Sequence, residues 1–147
     1  LLGGRRIINI ESTIVDCSTE IPVVLRPGGI STEDIHKIVE LGDDDLGISR
    51  APGMLPAHYA PQCEVTLVDD LSEAIRMNGS ADSSTRRLID ASIDPIGFAS
   101  LMYAQLRQCD VDGVRQLFVV LPEPNGIGLA IRDRLTKAAH GSKNQSH

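Results

Sequence analysis

A few side chains in this sequence have the type and spacing to do chemistry. Arg26, in "LRPGG", follows a strand-like run directly and precedes a turn fixed by Pro27. Its planar five-donor fork is therefore held at a strand end, where it suits a phosphate or a carboxylate. The alternative is an arginine in a surface ion pair. In "ESTIVD", Ser12 and Thr13 put adjacent hydroxyls at a strand start; they either meet a ligand or cap the sheet edge. His58-Tyr59 sits in "APGMLPAHYAP", between Pro56 and Pro61 and downstream of Pro52 and Gly53. Those prolines forbid a regular helix or central strand, so the pair rides on a stiffened linker. "NGIGLAIRDR" has Gly126 and Gly128 where a helix should begin after a strand. A dinucleotide fingerprint would need a third glycine where Ile131 stands, and would open the first βα unit rather than the last. A helix-entry turn with Asn125 or Gly126 near the cap is the better reading. His36, His140, Arg86-Arg87 and the Arg132, Arg134, Lys137 group read as solvated or capping residues.

The elements that must position these groups fall into three zones. In the first, "RRIINI", "STIVD" and "IPVVLR" are short β-branched strands, the last closed by Pro27-Gly28-Gly29. Ser31 reads as an N-cap with Asp34 three residues on. Ile35, Ile38 and Val39 then follow at helical spacing, with Gly42 placed to end the helix. Two or three short strands and one helix bury too little to stand alone. The second zone is the acidic loop "GDDDLGISR" and the proline-rich segment. The third alternates: strands at "CEVTLVDD", "RLIDAS" and "QLFVVLP", and helices at "LSEAIRMN" and through Phe98, Met102, Leu106 and Cys109, with Leu101 beside that stripe. A last helix carries Ile127, Ile131, Leu135 and Ala138. This β-α-β-α-β-α order predicts right-handed crossovers and a small three-layer α/β unit with a parallel sheet.

Composition bounds the function. The 147 residues are 41% apolar but only 3% aromatic, with no tryptophan, so the core must be aliphatic. Twenty acidic against fourteen basic residues leave a net charge of −6, which argues against a strong nucleic-acid-binding face. Cys17, Cys63 and Cys109 are far apart, with no metal-ligand spacing, and read as reduced thiols. No metal site is expected. No apolar run approaches the ~20 residues of a membrane helix, nor is there a signal-peptide pattern; a soluble cytoplasmic protein is expected. The first residue is leucine, and a strand-like run follows almost at once, as in a piece of a longer protein.

In series, "STIVD", "LRPGGIS" beginning thirteen residues after Ser12, "APGMLPAHYAP", "LMYAQLRQCDVDGV" and "GIGLAIRDRLTKAA" carry a specific resemblance. The chain resembles the C-terminal half of the long, two-domain L-threonylcarbamoyladenylate synthases, across nearly all of residues 8 to 140. The resemblance implies four segments: the end of a YrdC-like α/β catalytic domain (1–42), a proline-rich active-site linker (43–62), a Rossmann-like accessory domain (63–140) and a disordered tail (141–147). It implies a nucleotidyltransferase that condenses threonine, bicarbonate and ATP, the last with Mg, into threonylcarbamoyl-AMP, with no tightly bound cofactor. A carbamoyl-transferase complex would then modify adenosine 37 of tRNA. By the same resemblance Ser12 holds threonine, Arg26 and His58 reach the nucleotide, and the linker closes the site, bringing Tyr59 over Ser12 and Thr13. Two departures stand out. Many members have Lys-Tyr-Arg where this chain has Leu55-Pro56-Ala57. The family's Lys-x-Arg and Ser-x-Asn motifs fall upstream of Leu1, so this chain by itself is expected to be inactive. The competing expectation is a non-catalytic module that binds a nucleotide or a partner.

Overall fold

A computed structural model describes residues 10–42, 60–79 and 83–144. Its elements run β1 (Ile14–Asp16), β2 (Val23–Arg26), α1 (Thr32–His36), β3 (Glu64–Val68), α2 (Leu71–Asn78), β4 (Arg86–Asp90), α3 (Pro95–Val111), β5 (Gln116–Val120) and α4 (Ile127–Asn144). Most of the expected "RRIINI" strand and nearly all of the proline-rich linker, His58 and Tyr59 included, lie outside the described residues.

The larger unit is a parallel sheet in the order β3-β5-β4. β5 is central because "QLFVV" is apolar after Gln116, and those last four residues are buried. A strand covered on both faces needs such a run. Alternation along the strands sorts side chains into two layers. Val65, Leu117 and Val119 join Phe98, Met102, Leu106, Cys109, Ile131 and Leu135 in the main core under α3 and α4. Val68, Leu88 and Val120 face the other way, onto Ala74 of α2. The expected three layers and their β-α-β-α-β-α order are present.

Local chemistry fixes where the helices begin and end. Asp70 caps α2 by accepting from the Ser72 amide, and Asp94 caps α3 by accepting from the Gly97 amide, with Pro95 in the first turn. Gly113, at φ 68°, supplies the left-handed turn that ends α3. There the Val114 amide reaches back to the Cys109 carbonyl.

The second unit is the antiparallel hairpin of β1 and β2, with a register shift between Ile14 and Val15. Such a ribbon is marginal alone and is held by specific bonds. The Gly29 amide donates to the Glu11 carbonyl. Thr13 Oγ1 donates to the Ile30 carbonyl and accepts from the Ile30 amide. Gly28 lies flat on the opposite segment: a Cβ there would come within 3.0 Å of Thr13 N, Glu11 O and Ser12 C. Ile10 reaches into the main core of the α/β unit.

Three expectations are corrected. α1 is a short helix ending at His36, and Ile38 is 89% exposed. No residue of α1 is buried, so nothing selects continuation of its apolar spacing; Gly42 instead donates to the Pro22 carbonyl. Leu101 points away from the core, 54% exposed, because the buried arc of α3 is completed by Ala99 and Tyr103 on the other side of the stripe. Residues 141–144, expected in a disordered tail, continue α4. Their reason is Ser142, buried, donating to the Ala139 carbonyl and accepting from the Val65 amide. Val65 is on an edge strand, and the hydroxyl satisfies an amide the sheet leaves open.

Candidate functional site

The hairpin brings together two of the residues singled out for chemistry. Arg26 folds back across it, Nε and Nη2 donating to the Ser12 carbonyl at 3.3 and 3.0 Å. Nη1 lies 3.9 Å from Glu11 Oε2, and the Arg26 side chain is only 11% exposed. The guanidinium is thus held at the strand end, as its neighbours suggested, but its fork faces inward. These bonds fix the Ser12 peptide while the Ser12 residue stays exposed. A nucleotide phosphate at Arg26 would be met in addition to these bonds or in exchange for them. The Thr13 hydroxyl is occupied by Ile30 and serves the hairpin's own closure.

A second polar joint fixes this hairpin on α4. Arg134, 7% exposed, donates through Nε to Glu11 Oε2 at 2.8 Å and through Nη2 to the Pro27 carbonyl at 3.3 Å. Its Nη1 pairs with Asp133, which also binds Lys137. At the start of α4, the Gly126 amide donates to Glu33 Oε1 at 3.0 Å. That bond is the main reason the Glu33 carboxyl is held below its ordinary range. The helix entrance considered for a phosphate is thus met by a carboxylate of this chain, and the reading as a helix-entry turn stands.

The other arginines singled out in the sequence also have partners. Arg132 bonds Asp69 and the Pro122 carbonyl, Arg87 pairs with Asp112, and Arg86 donates to the Asn78 carbonyl. His36 and His140 are exposed. His140 lines an open cavity of about 290 Å³ along β3, with Glu64, Thr66 and Thr136; neither Ser12 nor Arg26 lines it. Cys63 and Cys109 are buried and Cys17 is exposed, all as free thiols. Among the described residues no cluster of metal-ligating side chains forms, and no helix is long and apolar enough to cross a membrane.

Reading the sequence missed Glu11, Gly28 and Glu33, and it placed Arg134 on a solvated face where the structure buries it. Two had a local signal: Glu11 adjoins Ser12, and Gly28 belongs to a double glycine whose members need not be equivalent. Arg134 had none, because its partners are 123 and 107 residues away.

The family described as "Threonylcarbamoyl-AMP synthase, C-terminal domain" matches residues 30–140, from the turn before α1 nearly to the end of α4. A threonylcarbamoyl-AMP synthase of Bacillus subtilis is 33% identical over 170 aligned residues, covering 95% of this chain and 48% of that protein. The enzyme of the same name from Pyrococcus abyssi is 29% identical, covering 93% and 48%. Among solved structures, Pyrococcus abyssi Sua5 complexed with L-threonine superposes with a TM-score of 0.73 at 28% identity, over 95% of this chain and 48% of that one. A variant of the same protein, with an adjacent histidine and tyrosine changed to alanine, gives 0.72 at 26% identity, over 92% and 46%. The chain spans about half the length of these relatives.

Proposed function

The chain belongs to the family of the threonylcarbamoyl-AMP synthase C-terminal domain, and on that premise we propose that it is part of an enzyme forming threonylcarbamoyl-AMP from threonine, bicarbonate and ATP. The observation that carries this reading is the Ser12–Arg26 hairpin. It sets the Arg26 guanidinium on the backbone carbonyl of an exposed serine, next to a unit matching the family. The reaction needs two bonds. The threonine amine attacks bicarbonate to give a carbamate with loss of water. A carbamate oxygen then attacks the α-phosphorus of ATP, and pyrophosphate leaves with the electron pair of the broken P–O bond. Ser12 would hold threonine and Arg26 the nucleotide, with ATP and Mg entering as substrate.

His58 and Tyr59 are the one adjacent His-Tyr pair in the sequence, and the Pyrococcus abyssi protein was solved with such a pair replaced by alanine. In this reading the prolines stiffen a strap that lowers the entropy of placing the pair over Ser12 and Thr13. A closed strap excludes water, which would hydrolyse the mixed anhydride. The product would serve a carbamoyl-transferase complex that modifies adenosine 37 of tRNA, and the protein would act in the cytoplasm without binding nucleic acid strongly itself. The 147-residue chain alone, without the Lys-x-Arg and Ser-x-Asn groups of the family, would be inactive, because such groups act as a unit.

The test is pyrophosphate release and mass-spectrometric detection of threonylcarbamoyl-AMP. It compares the chain alone with the chain joined to, or mixed with, a polypeptide carrying the upstream motifs. Product from the combined protein, reduced by Arg26→Ala through a raised KM for ATP, is the expected result. No product from the combined, folded protein would reject the activity. An unchanged ATP dependence would reject the role of Arg26.

A further inference from the structure

We propose that Arg134 is a positioning residue for the substrate pocket, fixing the Ser12–Arg26 hairpin onto α4 so that the α/β unit sets the geometry of the site. This inference rests on the reading of Ser12 and Arg26 as substrate-side groups.

Arginine is rarely this buried unless every part of its fork is used, and the three partners here have an informative arrangement. Asp133, from α4 itself, steadies the guanidinium and is in turn held by Lys137. The other two bonds leave the helix. One goes to Glu11, the residue before Ser12; the other goes to the carbonyl of Pro27, the residue after Arg26. One planar group thus ties both segments of the hairpin at the positions adjoining the two substrate-side residues. A role confined to α4 would need neither bond.

The same geometry says what happens without it. Glu11 Oε2 lies 2.8 Å from Arg134 Nε and 3.9 Å from Arg26 Nη1. With Arg134 gone, Arg26 is the one described cation left within 4 Å of Glu11. An ion pair at contact distance outweighs a bond to a neutral carbonyl, so Arg26 swings toward Glu11 and releases the Ser12 carbonyl. Ser12 then loses the restraint that orients it. Arg134 therefore acts through Glu11, by keeping its carboxylate from capturing Arg26. The bond from Gly126 to Glu33 is a second tie on the same helix and limits how far the hairpin can move.

The test uses Arg134→Met, which keeps the aliphatic stem but removes the fork, together with Arg134→Lys and Glu11→Gln. In the protein that carries the upstream motifs, Arg134→Met should raise the threonine KM about tenfold with kcat within about twofold. Arg134→Lys should recover part of the loss. Glu11→Gln changes a partly buried carboxyl outside the core cluster and keeps an oxygen that can accept from Arg134. With no carboxylate left to capture Arg26, it should keep the threonine KM within about twofold of the parent, and in the double variant it should suppress most of the Arg134→Met rise. A fall in melting temperature with an unchanged threonine KM, or additive effects in the double variant, would overturn the proposal. Hydrogen exchange on the 147-residue chain supplies a readout independent of activity. The Gly29 and Ile30 amides should exchange about tenfold faster in Arg134→Met, with β5 amides unchanged, and equal rates would overturn the proposal. If the parent protein makes no threonylcarbamoyl-AMP, the functional reading fails. The exchange result still decides whether Arg134 fixes the hairpin.

Discussion

Gly28 and Gly29 are adjacent and chemically identical, yet the structure assigns them opposite tolerance. A Cβ on Gly28 would overlap three backbone atoms of the Glu11–Thr13 segment, and backbone cannot swing aside as a side-chain tip can. A Cβ on Gly29 meets only the Ile10 carbonyl, at 3.9 Å. Neither residue has a positive φ, so the contrast is steric rather than conformational. Forcing a methyl into a closed contact costs about 1–3 kcal/mol, which shifts the opening equilibrium of the hairpin by about 5- to 150-fold. Gly29→Ala should be neutral or slightly stabilising, since it restricts the unfolded chain. Amide exchange read by NMR is the direct assay. Gly28→Ala should accelerate exchange across β1 and β2 while β3, β4 and β5 keep their protection, because among the described residues Ile10 alone enters the main core from the hairpin. Under the proposed function, turnover in the protein carrying the upstream motifs should fall as far as the closed fraction of the hairpin falls, since Arg26 and Ser12 lose their mutual register when it opens. Parent-like exchange in Gly28→Ala, or equal damage from Gly29→Ala, would refute the packing of this turn onto the segment that carries Ser12.

Three more outcomes follow from single contacts. Ser142→Ala leaves the buried Val65 amide without its acceptor and should cost about 1–3 kcal/mol, read from a denaturant midpoint; an unshifted midpoint would mean the end of α4 is not docked on β3. In the native chain one thiol, Cys17, should react quickly with a disulfide reagent at pH 8. Cys63, pushed up to about 12 mainly by burial, and Cys109, raised for the same first reason, should react only on unfolding, and three equally fast thiols would contradict their burial. The Glu33 carboxyl should titrate below its ordinary value of 4.5. Because its folded value is depressed, its stabilising effect is complete above that value and is lost as pH falls through the folded one. The Gly126 amide shift should follow that titration and become insensitive in Glu33→Gln.

The α/β unit was the legible part of this chain, for a reason visible in its residues. Its signals are local: Asp70 and Asp94 cap helices within three residues, and "QLFVV" declares a doubly covered strand by itself. The stripe of Phe98, Met102, Leu106 and Cys109 was read correctly, while Leu101 was misjudged because spacing alone does not say on which side of a stripe the buried arc widens. α1 was overextended because helical spacing carries no information about whether anything covers it. In the candidate site, the structure puts the Arg26 guanidinium on the Ser12 carbonyl, and both residues were singled out from type and position. What orients them was not, since Glu11, Pro27 and Arg134 become a group only after the chain has folded.

The character of that group bears on how the two units work together. The described contact between the hairpin and the α/β unit pairs one apolar side chain, Ile10, with polar ties: Glu11 and Pro27 with Arg134, and Glu33 with Gly126. A shared aliphatic core of the kind formed by Met102, Leu117, Ile131 and Leu135 would fuse the units, because each such side chain contributes about 1.5–3 kcal/mol and repacks only at a cost. Charge-assisted bonds of about 1.5–3 kcal/mol each are directional and can be made and broken singly. They hold Ser12 and Arg26 in register while leaving the hairpin able to yield by a bond at a time. In the proposed reading, a site that admits ATP and threonine and then excludes water needs such a joint. Replacing Glu11 and Arg134 by a well-packed apolar pair would be expected to stabilise the chain and to slow product release, and rapid release from such a variant would show that the joint does not move during turnover.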